Sequence, residues 1–159
     1  MGPEQDPITK EEFSSLPDDF FLSIDKRIVS ISRLISSNGS GSQNPGYHLI
    51  FDYGEKFYSL RVDYAHSNVI DGDVIVVWHQ VASLSSESQD AGKQLVDWWE
   101  KEYPDSLFSM AARSEGQALI GLRIRKYLFK VVSPQNLISK LIDLIPKVEA
   151  KAKAISSKT

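Results

Sequence analysis

The 159-residue chain contains no cysteine. Disulfides, thiolate metal ligands and cysteine nucleophiles are therefore excluded, and the composition suits a reducing compartment; a cytoplasmic location is expected. Histidine is scarce as well. His48, His66 and His79 are the whole supply, no HxH or HxxxH spacing occurs, and a zinc site needs three or four convergent ligands. No metal and no cofactor is expected. Long apolar runs are missing too. VIVVW at 74–78 is far short of the roughly 20 residues that cross a bilayer as a helix. The first residues, MGPEQDPITKEEF, are acidic and polar and lack the apolar core of a secretory signal. The phosphate-binding pattern GxxxxGK[ST], the dinucleotide pattern GxGxxG and the nucleophile pattern GxSxG are all absent. Asp71 and Asp73 flank Gly72 just before a strand, which is the composition of a turn; paired acid–base carboxylates are not indicated. No catalytic residue is expected, and the chain reads as a non-enzyme.

What is present is an ordinary globular composition, 42% hydrophobic and 25% charged, enough for one domain with its own core. The net charge of −3 conceals a polarity along the chain. Residues 1–110 hold 8 Lys/Arg against 18 Asp/Glu, net −10, and residues 111–159 hold 10 against 3, net +7. Two such segments attract one another within a single body; the sharper alternative is a basic face for an acidic partner.

Residues 1–9 carry two prolines and no periodicity, and a flexible tail is expected there. Ile24, Ile28, Ile31 and Leu34 or Ile35 recur at helical spacing, predicting a first helix that ends near Ser37. Ser15 or Asp18 would cap its start, with Pro17 in the first turn. The stretch SSNGSGSQNPG then reads as a flexible loop over 38–46. Period-two alternation follows. Tyr47, Leu49, Phe51 and Tyr53 share one face of a strand, and Gly54, Glu55 and Lys56 form a hairpin turn. Tyr58, Leu60, Val62 and Tyr64 share a face of the next strand. Residues 66–72 read as a loop. DVIVVWHQVA is dense in β-branched residues and predicts a central strand, with Ile75, Val77 and His79 on one face. A helix is predicted over 86–103, capped by Ser86 or Ser88 and closed by Pro104. Two further strands are predicted over 107–112 and 117–125, the latter continuing through 127–129. Ser133 and Pro134 start a last helix with its apolar face on Leu137, Leu141, Leu144 and Val148, kinked at Pro146. Residues 151–159 read as a frayed tail.

The resulting fold class is α+β: helix, three strands, helix, two strands, helix. A mostly antiparallel, twisted five-stranded sheet is expected, with helices packed against one face, in a single domain over 10–150.

Two features point to partners. The helix of DWWEKEY places Ala91, Leu95, Trp99 and Tyr103 on one stripe and Leu95, Trp98 and Glu102 on its neighbour. A helix on a sheet buries a stripe little more than about 100° wide. One tryptophan then lies in the core and the other at the rim, where an indole is a natural anchor for another protein. Trp98, Trp99 and Tyr103 are the candidate partner-binding residues, for a protein, a peptide or a second copy of the chain. The alternative is a basic strand face, Arg113, Arg123, Arg125 and Lys126, which could hold phosphates of a nucleic acid; the bland reading is a solvated strand face, and nucleic acid is the lesser partner class.

The order of elements, with YHLIFDY, FYSLRVDY and DVIVVWHQVA as strands and the segments around DWWEKEY and NLISKLIDLI as helices, resembles the type III secretion chaperone-like fold shared by YbjN-type proteins. The resemblance spans roughly residues 10–150 and rests on topology and size. It implies a small cytosolic, often dimeric protein that binds polypeptide rather than catalysing a reaction.

Overall fold

The structure, a computed structural model, describes residues 7–37, 43–67, 72–85, 90–113 and 117–157. The fold is α+β, with four helices and six strands hydrogen-bonded in the order β1-β2-β3-β4-β6-β5. The helices are α1 (Lys10–Ser14), α2 (Asp18–Leu22), α3 (Ala91–Glu102) and α4 (Pro134–Ser156). The strands are β1 (Ile28–Ser37), β2 (Gln43–Asp52), β3 (Phe57–Ser67), β4 (Gly72–Gln80), β5 (Ser109–Ala112) and β6 (Ala118–Arg125). The pairs β1·β2, β2·β3 and β5·β6 are antiparallel. By compactness the chain divides into residues 1–77 with 123–139 and residues 78–122 with 140–159.

In the first unit, the predicted long first helix is overturned. Residues 10–22 form two helices of five residues each, and 28–37 form a strand. Thr9, not Ser15 or Asp18, starts α1 through a capping box: its hydroxyl accepts from the Glu12 N–H, and Glu12 Oε1 accepts from the Thr9 N–H, both at 3.1 Å. Pro17 occupies the cap position of α2. A β-bulge explains why β1 imitates a helix. Ile28 pairs with Phe51 and Ser30 with Ile50, so Val29 is an extra residue with no partner in β2. Ile31 then faces Leu49, and the inward residues Ile28 and Ile31 end up three apart, a spacing that also suits a helix. The composition IVSISRLISS, rich in β-branched residues, suits the pleated form better.

β2 and β3 follow their alternation. Tyr47, Leu49, Phe51, Leu60 and Val62 are buried, and the register sets Tyr47 against Val62 and Leu49 against Leu60. Phe13 and Phe21 close this face from the helices, with ring centroids 5.2 and 4.4 Å from Tyr47. The Tyr47 hydroxyl donates to the Phe13 carbonyl, which satisfies its polar tip inside the core. The β2–β3 turn forms where expected. Gly54 adopts φ 84, a left-handed conformation that glycine tolerates, and its N–H donates to Asp52 Oδ1 at 2.7 Å. β2 already begins at Gln43, inside the stretch read as loop; residues 38–42 lie outside the described residues. Ile8, in the expected tail, is buried and its N–H donates to the Lys126 carbonyl at 3.1 Å; residues 1–6 lie outside the described residues.

Gly46 carries a packing constraint. A Cβ there would sit 2.2 Å from Asp63 Oδ1, on the paired strand, and that carboxylate is held by Arg61 at 2.9 Å. Gly46→Ala is expected to destabilise by about 1–2 kcal/mol through this overlap, read as a lower denaturation midpoint, and Gly46→Ala combined with Asp63→Ala should recover part of the loss.

β4 pairs between β3 and β6 in the strand order, and its buried face is Ile75, Val77 and His79. β3 extends through Ser67, so His66 is in a strand where a loop was expected; residues 68–71 lie outside the described residues. In the second unit, α3 is shorter than predicted and begins after Asp90; the candidate caps Ser86 and Ser88 lie outside the described residues. The strand count is six rather than five because β1 replaces the expected helix. β5 starts only at Ser109, and β6 stops at Arg125 where the chain enters turns over 126–131, so no strand continues through 127–129. α4 begins at Pro134 as expected. It passes through Pro146 and reaches Ser156, beyond the point where fraying was expected, with Ala152 and Ile155 buried on its face. Among the described residues no helix is long and apolar enough to cross a membrane.

Candidate functional site

The second unit contains the aromatic helix. On α3, Ala91, Gly92, Leu95 and Trp99 are buried, so the stripe through Leu95 and Trp99 faces the core. Trp99 is only 2% exposed, and its Nε1–H donates to the Phe108 carbonyl at 3.3 Å. Tyr103 stacks on Trp99 with centroids 4.4 Å apart and planes at 27°. Trp98 is half-buried. Its ring meets Tyr103 edge-on at 5.9 Å, and the Lys151 ammonium lies 5.9 Å from its centroid. The three rings thus form one cluster, closed on the Trp99 side and open on the Trp98 side.

Beside this cluster is a cleft of about 300 Å³ lined by Trp99, Glu100, Tyr103, Phe108, Ser109 and Met110. β5, which supplies Ser109 and Met110, is the last strand in the order and pairs only with β6 among the described strands. A strand edge carries free backbone donors and acceptors, and here it borders a cleft lined by both polar and apolar side chains. Leu107, just before β5, is 67% exposed and borders a second cleft with Lys140, Asp143, Leu144 and Lys147. The exposed charges of α3 are mixed, Asp97, Glu100 and Glu102 alongside Lys93 and Lys101. A larger cavity, about 690 Å³, lies in the first unit between Leu16, Phe20, Phe129 and Pro134. Its ionisable lining residues, Glu12 and Lys130, are paired with each other at 2.5 Å.

The alternative basic set is divided. Arg123 and Arg125 are exposed on β6 and alternate with buried Ile124; Arg113 is exposed at the end of the β5–β6 pair, where its N–H donates to the Gln117 carbonyl at 2.7 Å. Lys126 does not belong to a surface patch. It is 2% exposed with its ammonium 3.5 Å from the Tyr64 ring centroid, on the side of buried Ile124 by the alternation that exposes Arg123 and Arg125.

His48 pairs with Ser32 and Arg61 in the β1–β2–β3 register. β3 lies between β2 and β4, so the strands of His48 and His79 are not neighbours. His79 has a different acidic companion, which sequence reasoning missed. Its Nε2 lies 2.7 Å from Glu149 Oε1, and both residues are 2% exposed. Glu149 also accepts from the Ala82 N–H at 2.8 Å and the Ser83 N–H at 2.9 Å. Burial pushes its carboxyl up, but the hydrogen bonds from His79, Ser83 and Ala82 outweigh burial and hold it below its ordinary value. The signal in sequence was slight: Glu149 follows Leu141, Ile142, Ile145 and Val148 and precedes Ala152, so it falls on an otherwise apolar stripe. The pair ties α4 to the segment after β4. Among the described residues no group of three or more His, Asp or Glu side chains is placed to hold a metal ion.

The chain matches no family model, no curated protein and no solved structure.

Proposed function

We propose that this protein is a non-enzymatic, chaperone-like module that binds polypeptide on the α3–β5 side of its second unit. The observation that carries the reading is the partly exposed Trp98 ring, braced by Tyr103 and Trp99, with a cleft of mixed lining and a terminal strand close by. A ring so braced loses little rotamer freedom on binding, and a preorganised aromatic is what interface hot spots use. The partner suited to this surface is an extended segment. It lies along β5, adds backbone hydrogen bonds to it and places an apolar side chain in the cleft, the β-augmentation mode of recognition.

The test is a display selection of short peptides on the full chain, followed by calorimetric titration of the enriched sequences. Extended peptides carrying an apolar residue should be selected. Trp98→Ala should weaken them about 10- to 30-fold with a melting temperature close to that of the wild type. A Trp98→Ala protein that binds the same peptides unchanged overturns the proposal.

A further inference from the structure

The cavity of about 690 Å³ in the first unit falls in the size range of small-molecule sites, roughly 300–1,000 Å³. Its apolar lining comes from Ile8 ahead of α1, from Leu16 and Phe20, and from Phe129, Val131 and Pro134 at the turn into α4. The Phe20 and Phe129 rings lie nearly parallel, with centroids 6.2 Å apart and planes at 29°. Phe129 is buried, Phe20 is partly exposed and Val131 is 55% exposed, so apolar surface meets water here. Gln135 fixes one wall. Its Nε2 donates to the Phe20 carbonyl at 3.2 Å and to Ser23 Oγ at 3.4 Å, which ties the start of α4 to the end of α2. Ser133, also in the lining, holds φ 52. That left-handed conformation is unfavourable for serine, and such backbone strain gathers at ligand sites.

Two charges border the cavity, Glu12 and Lys130, each with a side chain 45% exposed. Glu12 is anchored. Its Oε1 accepts from the Thr9 N–H in the capping box while Oε2 accepts from the Lys130 ammonium. The bonds from Lys130 and Thr9 hold its carboxyl below its ordinary value, so it is ionised at neutral pH. Lys130 is the movable partner, on a flexible four-carbon stem. An ion pair this exposed is weakly held. A ligand of net charge would take one member of the pair and leave the other alone. A ligand carrying an ammonium and a carboxylate on one carbon engages both, and one ion pair becomes two.

We propose that this cavity binds a free aromatic α-amino acid, with its ammonium on Glu12, its carboxylate on Lys130 and its ring against Phe20 and Phe129. The ring is matched to the lining because aromatic groups pack favourably edge-on or offset against one another. The site goes beyond the peptide-binding reading and belongs to the other unit of the chain.

The test is titration of the full chain with L-phenylalanine, followed through backbone amide shifts in nuclear magnetic resonance. Saturable shifts should centre on residues 12–20 and 129–135, with a dissociation constant below about 1 mM. 3-Phenylpropionate, which lacks the ammonium, and phenethylamine, which lacks the carboxylate, should each bind at least about tenfold more weakly. Two variants assign the charges. Glu12→Gln keeps the capping box, because glutamine also serves at that position, and should bind phenylalanine and 3-phenylpropionate alike. Lys130→Gln should bind phenylalanine and phenethylamine alike. Both should melt close to the wild type. No saturable shift, shifts centred elsewhere, or 3-phenylpropionate binding the wild type as tightly as phenylalanine overturns the proposal. Trp98→Ala should leave the phenylalanine titration unchanged, so this result and the peptide-binding result stand or fall separately.

Discussion

Trp99→Ala should lower the unfolding free energy by about 3–5 kcal/mol, the usual loss for a buried tryptophan. In a chain of this size that is a drop in melting temperature on the order of 10 °C. Three losses combine. The indole is almost wholly enclosed, it stacks on Tyr103, and its N–H satisfies the Phe108 carbonyl at the entry to β5. Removing the ring therefore opens a cavity and leaves a buried acceptor with one donor fewer. Trp98→Ala, one residue earlier on the same helix, should cost less, about 1 kcal/mol, because that ring is already partly exposed to water. Thermal unfolding of the two variants, followed by circular dichroism, checks the contrast. Equal destabilisation by the two would mean that Trp98 is as much a core residue as Trp99, and the binding role proposed for it would then fail.

Glu149→Ala is expected to cost about 3 kcal/mol near neutral pH. It strands His79 and two backbone N–H groups, and losing one member of a buried polar pair falls in that range. The pH dependence has a definite sign. In the folded state the Glu149 carboxyl lies below its ordinary value of 4.5, so the unfolded chain holds the proton more tightly. The stabilisation is present above the unfolded value and is lost as the pH falls through the folded one. Glu149→Gln keeps the shape but cannot take part in this titration. The stability gap between wild type and Glu149→Gln should therefore be widest near neutrality and narrow on acidification below about pH 4.5. Chemical denaturation of both proteins at several pH values measures it. A gap independent of pH would mean that the charge on Glu149 contributes nothing.

The strands with undisturbed alternation were legible from sequence. β2, β3 and β4 have side chains that answer to a single buried face, so period two survives in the residue order. β1 was not legible as a strand, for a physical reason: the bulge at Val29 inserts one residue between inward positions and converts a spacing of two into the spacing of three that a helix shows. Where α1 begins was hidden differently, because its cap is the reciprocal pair Thr9 and Glu12, while Ser15 and Asp18 are equally plausible caps by residue type. At the candidate site, the 100° step between neighbours on a helix separated a core tryptophan from a rim tryptophan; the burial of Leu95 and Ala91 assigns the core role to Trp99. The His79–Glu149 contact joins residues 70 apart, and no local pattern encodes such a pairing. Lys126 looked like part of a basic row because it follows Arg123 and Arg125, but the alternation of β6 puts it on the side of buried Ile124, away from the two arginines.

The neighbouring indoles of α3, with centroids 6.2 Å apart and planes inclined at 60°, are close enough for their electronic transitions to couple. Such a pair absorbs as a chiral dimer and adds an exciton couplet to the far-ultraviolet circular dichroism, superimposed on the backbone signal. The helix thereby carries an intrinsic optical reporter. Its amplitude responds to a few degrees of ring rotation, so seating of a ligand against the outer indole can be followed without attaching a dye.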